Sequence, residues 1–201
     1  MEIKAFVWDM GGVLLRTEDG SPRERLAGKF NLSRYELESL VFSSESSHQA
    51  ERGIITAEEH WQTVKEYLNL DSDQLAEFIN AFWAGDQMDH TLVSFVDHLR
   101  PRYKTGLISN AWSNARSHIE GQHHFLHVFD EVIFSSEVGI RKPHQEIFTM
   151  MLDRLGVCGN ECVFIDDFPH NLDGAEELGM KTILFSDPNK VMEQITSMIQ
   201  A

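Results

Sequence analysis

The sequence predicts an α/β fold in which a parallel sheet is sandwiched between helices and an α-helical cap is inserted into the core. Two observations carry this. Short apolar runs recur at residues 3–8, 105–108, 131–134, 162–165 and 182–185, bounded by turn or charged residues and, after the first, separated by helical patterns. Runs of that kind read as strands buried on both faces, the mark of βα repeats around a parallel sheet. Between the first and second run lies a long segment with no strand signal, about residues 17–101, and it is dense in helix starts.

The elements follow in order. The first run, with its one lysine, ends on Asp9 and meets a Gly11-Gly12 turn. In the segment behind it, Ser21-Pro22 places a cap before a proline at the first helical position. Ser33 with Glu36 and Thr56 with Glu59 match the capping box, and Asp71 with Gln74 is a weaker signal of the same spacing. Apolar residues recur at helical spacing over 57–68 and 75–83. Some five helices are too many for a simple crossover, so the division expected is a core of 1–16 and 92–201 with a helical cap of 17–91. The remaining runs alternate with helical patterns to the end of the chain.

Composition narrows the function. The chain has 201 residues, 42% of them apolar and 24% charged, as in an ordinary globular protein of one domain or a core plus an insertion. Seventeen Lys and Arg against 32 Asp and Glu give a formal charge of −15. Such a surface repels nucleic acid and anionic membranes, and neither is expected as a partner. An anionic substrate would need local positive charge. Cys158 and Cys162 form neither a disulfide framework nor a zinc set and read as reduced thiols. With no basic-then-apolar leader and no apolar run near ~20 residues, a cytoplasmic location is expected. A monomer or a homodimer fits the chain.

In open parallel sheets, ligands bind beyond the carboxyl ends of the strands. The polar residues there are Asp9, then Ser109-Asn110, then Arg141-Lys142-Pro143, then Asp166-Asp167. Each alone has a plain reading: an Asp after a strand caps a turn, and Asp166-Asp167 could cap a helix starting near Asn171. Together they bring three carboxylates, a hydroxyl and a lysine to one sheet edge. Crowded carboxylates call for a divalent cation, and oxygen-only ligands favour magnesium, which often binds substrate phosphate. Lys142 adds a point charge for phosphate oxygens and Ser109 a hydrogen-bond donor.

In this order the motifs resemble those of the haloacid dehalogenase superfamily of phosphohydrolases, which have a Rossmann-like core and a helical cap inserted after the first motif. The resemblance covers essentially the whole chain. Asp9-Met10-Gly11 stands at the family's Asp-x-Asp motif, Ser109-Asn110 at its second, Lys142 at its third, and Asp166-Asp167 with Asn171, Gly174 and Ala175 at its fourth. The resemblance implies that Asp9 is a nucleophile forming an aspartyl-phosphate, aided by Ser109 and Lys142. It implies magnesium held by Asp9, the Gly11 carbonyl, Asp166 and Asp167. It also implies that Asn110, Gly11, His48 and Arg52 meet a small phosphorylated substrate.

Gly11 departs from the family pattern, because the second aspartate there protonates the leaving group and later activates water. Such acid–base help is typically worth ~10²–10⁴-fold. Three readings follow: another group substitutes (Glu18, Asp19 or His48), the leaving group is already acidic, or the chain binds phosphate without turnover. The Asp-x-Gly-Gly motif and the stretch "SHQAERGIITAEEHW" are similar to α-D-glucose-1-phosphate phosphatases, so a sugar phosphate such as glucose 1-phosphate is the expected substrate. The dehalogenase branch also lacks the second aspartate, but it needs no metal and lacks paired acids; Asp166-Asp167 argue against it. In the cap, Arg52 can meet a second anionic group and His48 and Glu51 sugar hydroxyls, or all three form a solvated face. Trp112 lines the entrance or packs. His118, His123, His124 and His127 read as helix-surface residues rather than a zinc site.

Overall fold

A computed structural model describes residues 2–200. In chain order its elements are β1 (Ala5–Trp8), β2 (Leu15–Thr17), α1 (Ser21–Lys29), α2 (Arg34–Phe42), α3 (Glu45–Glu51), α4 (Ala57–Leu68), α5 (Ser72–Trp83), β3 (Asp86–Met88) and α6 (His90–Leu99). There follow β4 (Lys104–Ser109), α7 (Ala115–Gln122), β5 (Glu131–Phe134), α8 (Ser135–Val138), α9 (Gln145–Leu155), β6 (Cys162–Asp166), α10 (Pro169–Glu176), β7 (Lys181–Leu184) and α11 (Pro188–Gln200).

The five runs named from the sequence form one parallel sheet in the order β5-β4-β1-β6-β7. Strand β1 is central and fully buried. Its side chains alternate: Phe6 and Trp8 join one core with residues of α6, α7 and α11, while Ala5 and Val7 join another with residues of α9 and α10. The sheet is therefore a middle layer with helices on both faces. From β1 the chain first builds outward through β4 and β5, then returns to add β6 and β7 on the other side. That reversal opens a crevice at the carboxyl end of β1, the place where such sheets bind ligands.

Helices α1–α5 pack around a core of their own that includes Leu26, Leu37, Val41, Trp61, Val64, Phe78 and Phe82. Ser33, Thr56 and Asp71 each close a full capping box. Ser21 does not cap α1. The helix begins at Ser21 behind Gly20, and the Asp19 carboxylate accepts from the Ser21 N–H at 2.9 Å and its hydroxyl at 3.1 Å. The segment is also not free of strands: β3 pairs antiparallel with β2. Two three-residue strands, Leu-Arg-Thr and Asp-Gln-Met, hold no apolar run, which is why periodicity passes over them. Among the described residues no helix is long and apolar enough to cross a membrane.

One buried group in this insertion gives a pH prediction. His60 is fully buried, with Nδ1 2.9 Å from Ser46 Oγ and the Val41 backbone beside it, and its ring lies 4.6 Å from that of Trp112. Burial lowers its pKa from 6.5 to about 4. Between those values the unfolded chain binds more protons than the native one, so this group's contribution to stability is full above 6.5 and is lost as pH falls toward 4. The loss expected is about 3 kcal/mol. Urea unfolding of the parent and of His60→Leu at about pH 7 and about pH 4.5 checks it: the parent's stability should fall more steeply than the variant's, and equal slopes would refute it.

Candidate active site

The crevice is built from strand ends. Asp9 continues β1, its N–H donating to the Ile165 carbonyl at 2.8 Å. Because Trp8 pairs with both Leu107 and Ile165, Asp9 lies level with Asp166, and Ser109 stands one residue further along β4. Ser109 is buried there. After Asp9 the chain folds back sharply: the N–H groups of Leu14 and Leu15 both donate to the Met10 carbonyl at 2.9 Å.

The two glycines of that turn have different reasons. Gly12 has φ +80°, and a Cβ there would stand 2.1 Å from Asp167 Oδ2. The Asp167 carboxylate reaches back over this turn, and only glycine leaves it room. At Gly11 a Cβ would meet nothing within 4 Å. The space where the resemblance places a second aspartate is open.

Lys142 ties the site together. It is 1% exposed, with Nζ 2.7 Å from Asp9 Oδ1 and 2.6 Å from Asp166 Oδ2. Burial alone would lower its pKa, but the Asp9 and Asp166 charges outweigh that and raise it, so the ammonium is retained. Asp166 is saturated: besides Lys142 it accepts from the Phe168 N–H at 2.8 Å and the Asn171 amide at 3.0 and 3.1 Å. It does not cap α10, which begins behind Phe168 without a side-chain cap. Gly174 lets that helix approach the next segment, since a Cβ there would be 2.0 Å from the Pro143 carbonyl oxygen. The Lys142–Pro143 peptide is cis.

Asn110 has a role that its neighbour Ser109 does not reveal. Its Oδ1 accepts from the Lys142 N–H at 2.8 Å and its Nδ2 donates to the Lys142 carbonyl at 3.1 Å. The amide is spent on fixing the main chain of Lys142, so it acts on the site through that lysine.

Electrostatics show what the cluster lacks. Burial first, then the charges of Asp166 and Asp167, push Asp9 up, with Lys142 opposing. Burial and Asp166 push Asp167 up to about 6. Three carboxylates share one ammonium, and positive charge is short. Ligand oxygens of Asp9, Asp166 and Asp167 all lie within 4.8 Å of one another, the one such group found among the described residues. An oxygen-only donor set of that size suits a hard divalent cation such as magnesium.

The other expected residues are distributed as follows. Glu18 is held by the Arg16 guanidinium at 2.7 and 3.0 Å, and Asp19 by Ser21, whose hydrogen bonds lower the Asp19 pKa. Arg52 donates from Nε to the His48 carbonyl at 3.2 Å and lies 3.5 Å from Glu45. Burial, then the Arg141 charge, lowers the His48 pKa. Glu51 is buried against Arg141 rather than free in a solvated face, with Oε2 2.7 Å from Nε. Trp112 packs: its ring joins Phe42, His60, Trp61 and Trp83, and its Nε1 donates to Ser47 Oγ at 3.2 Å. Of the four histidines only His118 lies on α7. His123 is its C-cap, half-buried, and His124 and His127 follow it, so they are not one helix face. Sequence reasoning missed the Glu51–Arg141 pair and the grip of Asn110, because both join residues far apart in the chain.

Comparisons with known proteins bear on the family and the fold. The family model for haloacid dehalogenase-like hydrolases matches residues 3–179. Bifunctional epoxide hydrolase 2 of Rattus norvegicus is 26% identical over 207 residues, covering 92% of this chain but 35% of its own, so the chain spans about a third of that relative's length. A sesquiterpene phosphatase of Aspergillus oryzae is 23% identical, with 92% of this chain and 90% of the relative covered. A haloacid dehalogenase family enzyme of Bacteroides thetaiotaomicron, solved in complex with magnesium and inorganic phosphate, superposes with a TM-score of 0.73 at 23% identity, covering 92% of this chain and 94% of that one. That last likeness shows a shared fold.

Proposed function

The chain belongs to the haloacid dehalogenase-like hydrolases, and from that premise we propose that it is a magnesium-dependent phosphohydrolase of a small phosphorylated metabolite. The observation that carries this reading is the Asp9–Lys142–Asp166 contact with Asp167 beside it. A dehalogenase site, working on a carboxylate substrate without metal, would gain nothing from that surplus of negative charge. The relative named a phosphatase and the neighbour solved with magnesium and phosphate support the same class.

In this reading Asp9 attacks phosphorus, the bond to the leaving oxygen breaks, and an aspartyl-phosphate forms on Asp9. Lys142, held in place by Asn110, and Ser109 at the end of β4 neutralise the phosphoryl oxygens as charge shifts toward the leaving group. Water then attacks phosphorus, the bond to the Asp9 oxygen breaks, and inorganic phosphate leaves with Asp9 restored. Asp9, Asp167 and the Gly11 carbonyl would hold the magnesium ion; Asp166, expected to bind it directly or through water, has both oxygens taken by Lys142, Asn171 and the Phe168 N–H and would act through water. When bound, the ion offsets the crowded carboxylates and draws charge from a phosphoryl oxygen.

The leaving group receives no proton from Gly11, Glu18 and Asp19 are engaged elsewhere, and burial with the Arg141 charge disfavours the protonated form of His48. We therefore favour a substrate whose leaving group is acidic, of which an anomeric sugar phosphate such as glucose 1-phosphate is one. The similarity of the Asp-x-Gly-Gly turn to glucose-1-phosphate phosphatases supports that choice. We assign 17–91 as the cap over the site and 1–16 with 92–201 as the core; Met1 and Ala201 lie outside the described residues.

The test is hydrolysis of p-nitrophenyl phosphate, whose phenolate leaves readily, with magnesium and with excess EDTA, beside a panel of sugar phosphates. Magnesium-dependent turnover, with anomeric phosphates hydrolysed faster than primary alkyl phosphates, is expected. No turnover of any phosphate, with phosphate still bound, would support the binding-protein reading that Gly11 suggests.

A further inference from the structure

We propose that Glu51 and Arg141 form a latch through which the helical insertion positions Lys142, an inference that rests on the phosphohydrolase reading. Glu51 is the last residue of α3 and is buried, with Oε2 2.7 Å from Arg141 Nε. Arg141 immediately precedes Lys142. The contact thus joins the insertion to the segment that delivers the ammonium to Asp9 and Asp166.

The two atoms are close but lack hydrogen-bond alignment, so charge and confinement hold them rather than a directed bond. Confinement is visible beside the pair. Gly53 has φ +66°, and a Cβ there would stand 2.4 Å from the Ser136 carbonyl oxygen. On the same seam the Ala57 N–H donates to Ser113 Oγ at 3.1 Å. The insertion is seated tightly against the loop after β4 and helix α8 after β5.

Lys142 is consequently fixed from two sides. Asn110 grips its main chain from β4, and Glu51 holds the preceding residue from α3. The latch also has a charge function. A guanidinium is a better carboxylate ligand than an ammonium because it binds in a fork. Without Glu51, Arg141 would be free to turn to the acidic cluster next door and compete with Lys142 for it. Both residues are positioning residues: they act through Lys142.

The experiment compares Glu51→Gln, Arg141→Gln and the double variant Glu51→Leu/Arg141→Met, using p-nitrophenyl phosphate with magnesium. The double variant leaves no buried charge unpaired, so its Tm should stay near the parent's. Its kcat should nevertheless fall by about 10- to 100-fold, since small misplacements near a reacting centre cost that much. Arg141→Gln should lose the same factor, because each change breaks one shared device, and Glu51→Gln should lose more, since its freed Arg141 competes with Lys142 for the acidic cluster. Hydrogen exchange across residues 140–144 should rise in all three. A double variant with parent kcat, or single losses that multiply, would overturn the latch, as would a lowered Tm with unchanged kcat. If the parent chain hydrolyses no phosphate, the phosphohydrolase reading fails; exchange at 140–144 then decides, and unchanged exchange overturns the latch.

Discussion

Asp9→Asn will leave a folded protein with turnover reduced by roughly 10⁴-fold or more, the scale seen when a nucleophile is removed. The amide matches the carboxylate in shape, so β1 and the turn after it are retained. What is lost is the charged oxygen 2.7 Å from Lys142 Nζ, which would attack phosphorus. The fold has reason to tolerate the change: burial and two neighbouring carboxylates oppose the charge on Asp9 that Lys142 favours, and in the variant Lys142 keeps Asp166 as its partner. Circular dichroism and Tm check the fold, and p-nitrophenyl phosphate with magnesium checks the rate. Parent-level turnover in the variant would remove Asp9 from the reaction.

Gly11→Asp should do the opposite, raising turnover of alkyl phosphates by about 10²–10⁴-fold and that of aryl phosphates by less, because a phenolate needs no proton and gains only the carboxylate's activation of water. The site has room, since a Cβ at Gly11 meets nothing within 4 Å and Gly11 is not among the glycines with positive φ. The new carboxyl would stand where the family pattern places its proton donor. A phenolate leaves without that proton, so the excess of the alkyl gain over the aryl gain reads the acid role. Gly12 cannot be used the same way, because a Cβ there would strike Asp167. Equal effects on alkyl and aryl substrates would mean that Gly11 is not the missing acid, and the open space would need another explanation.

Much of the core is legible in the sequence because parallel strands are continuous apolar runs, and those runs reappear as β1, β4, β5, β6 and β7. The residues that end them are legible for the same reason: parallel strands point the same way, so Asp9, Ser109 and Asp166 must reach one edge. Strands β2 and β3 are not legible. They hold three residues each, and β3 begins with an aspartate. The partners of Lys142 are also hidden, since Asn110 and Asp166 lie 32 and 24 residues from it in opposite directions along the chain. Trp112 follows the strand-end motif yet completes the aromatic core of the insertion, a placement that depends on how the two parts seat together. Gly12 reads as a turn glycine, whereas its second reason, the approach of Asp167, appears only in three dimensions.

Rapid quenching of the parent chain with p-nitrophenyl phosphate and magnesium, followed by peptide mass analysis, would read the phosphoryl carrier itself. One added phosphoryl group is expected on the peptide containing Asp9, cleaved by hydroxylamine as an acyl phosphate is, and absent from Asp9→Asn. Turnover with the label on another residue, or with no protein-bound phosphoryl group, would contradict nucleophilic attack by Asp9.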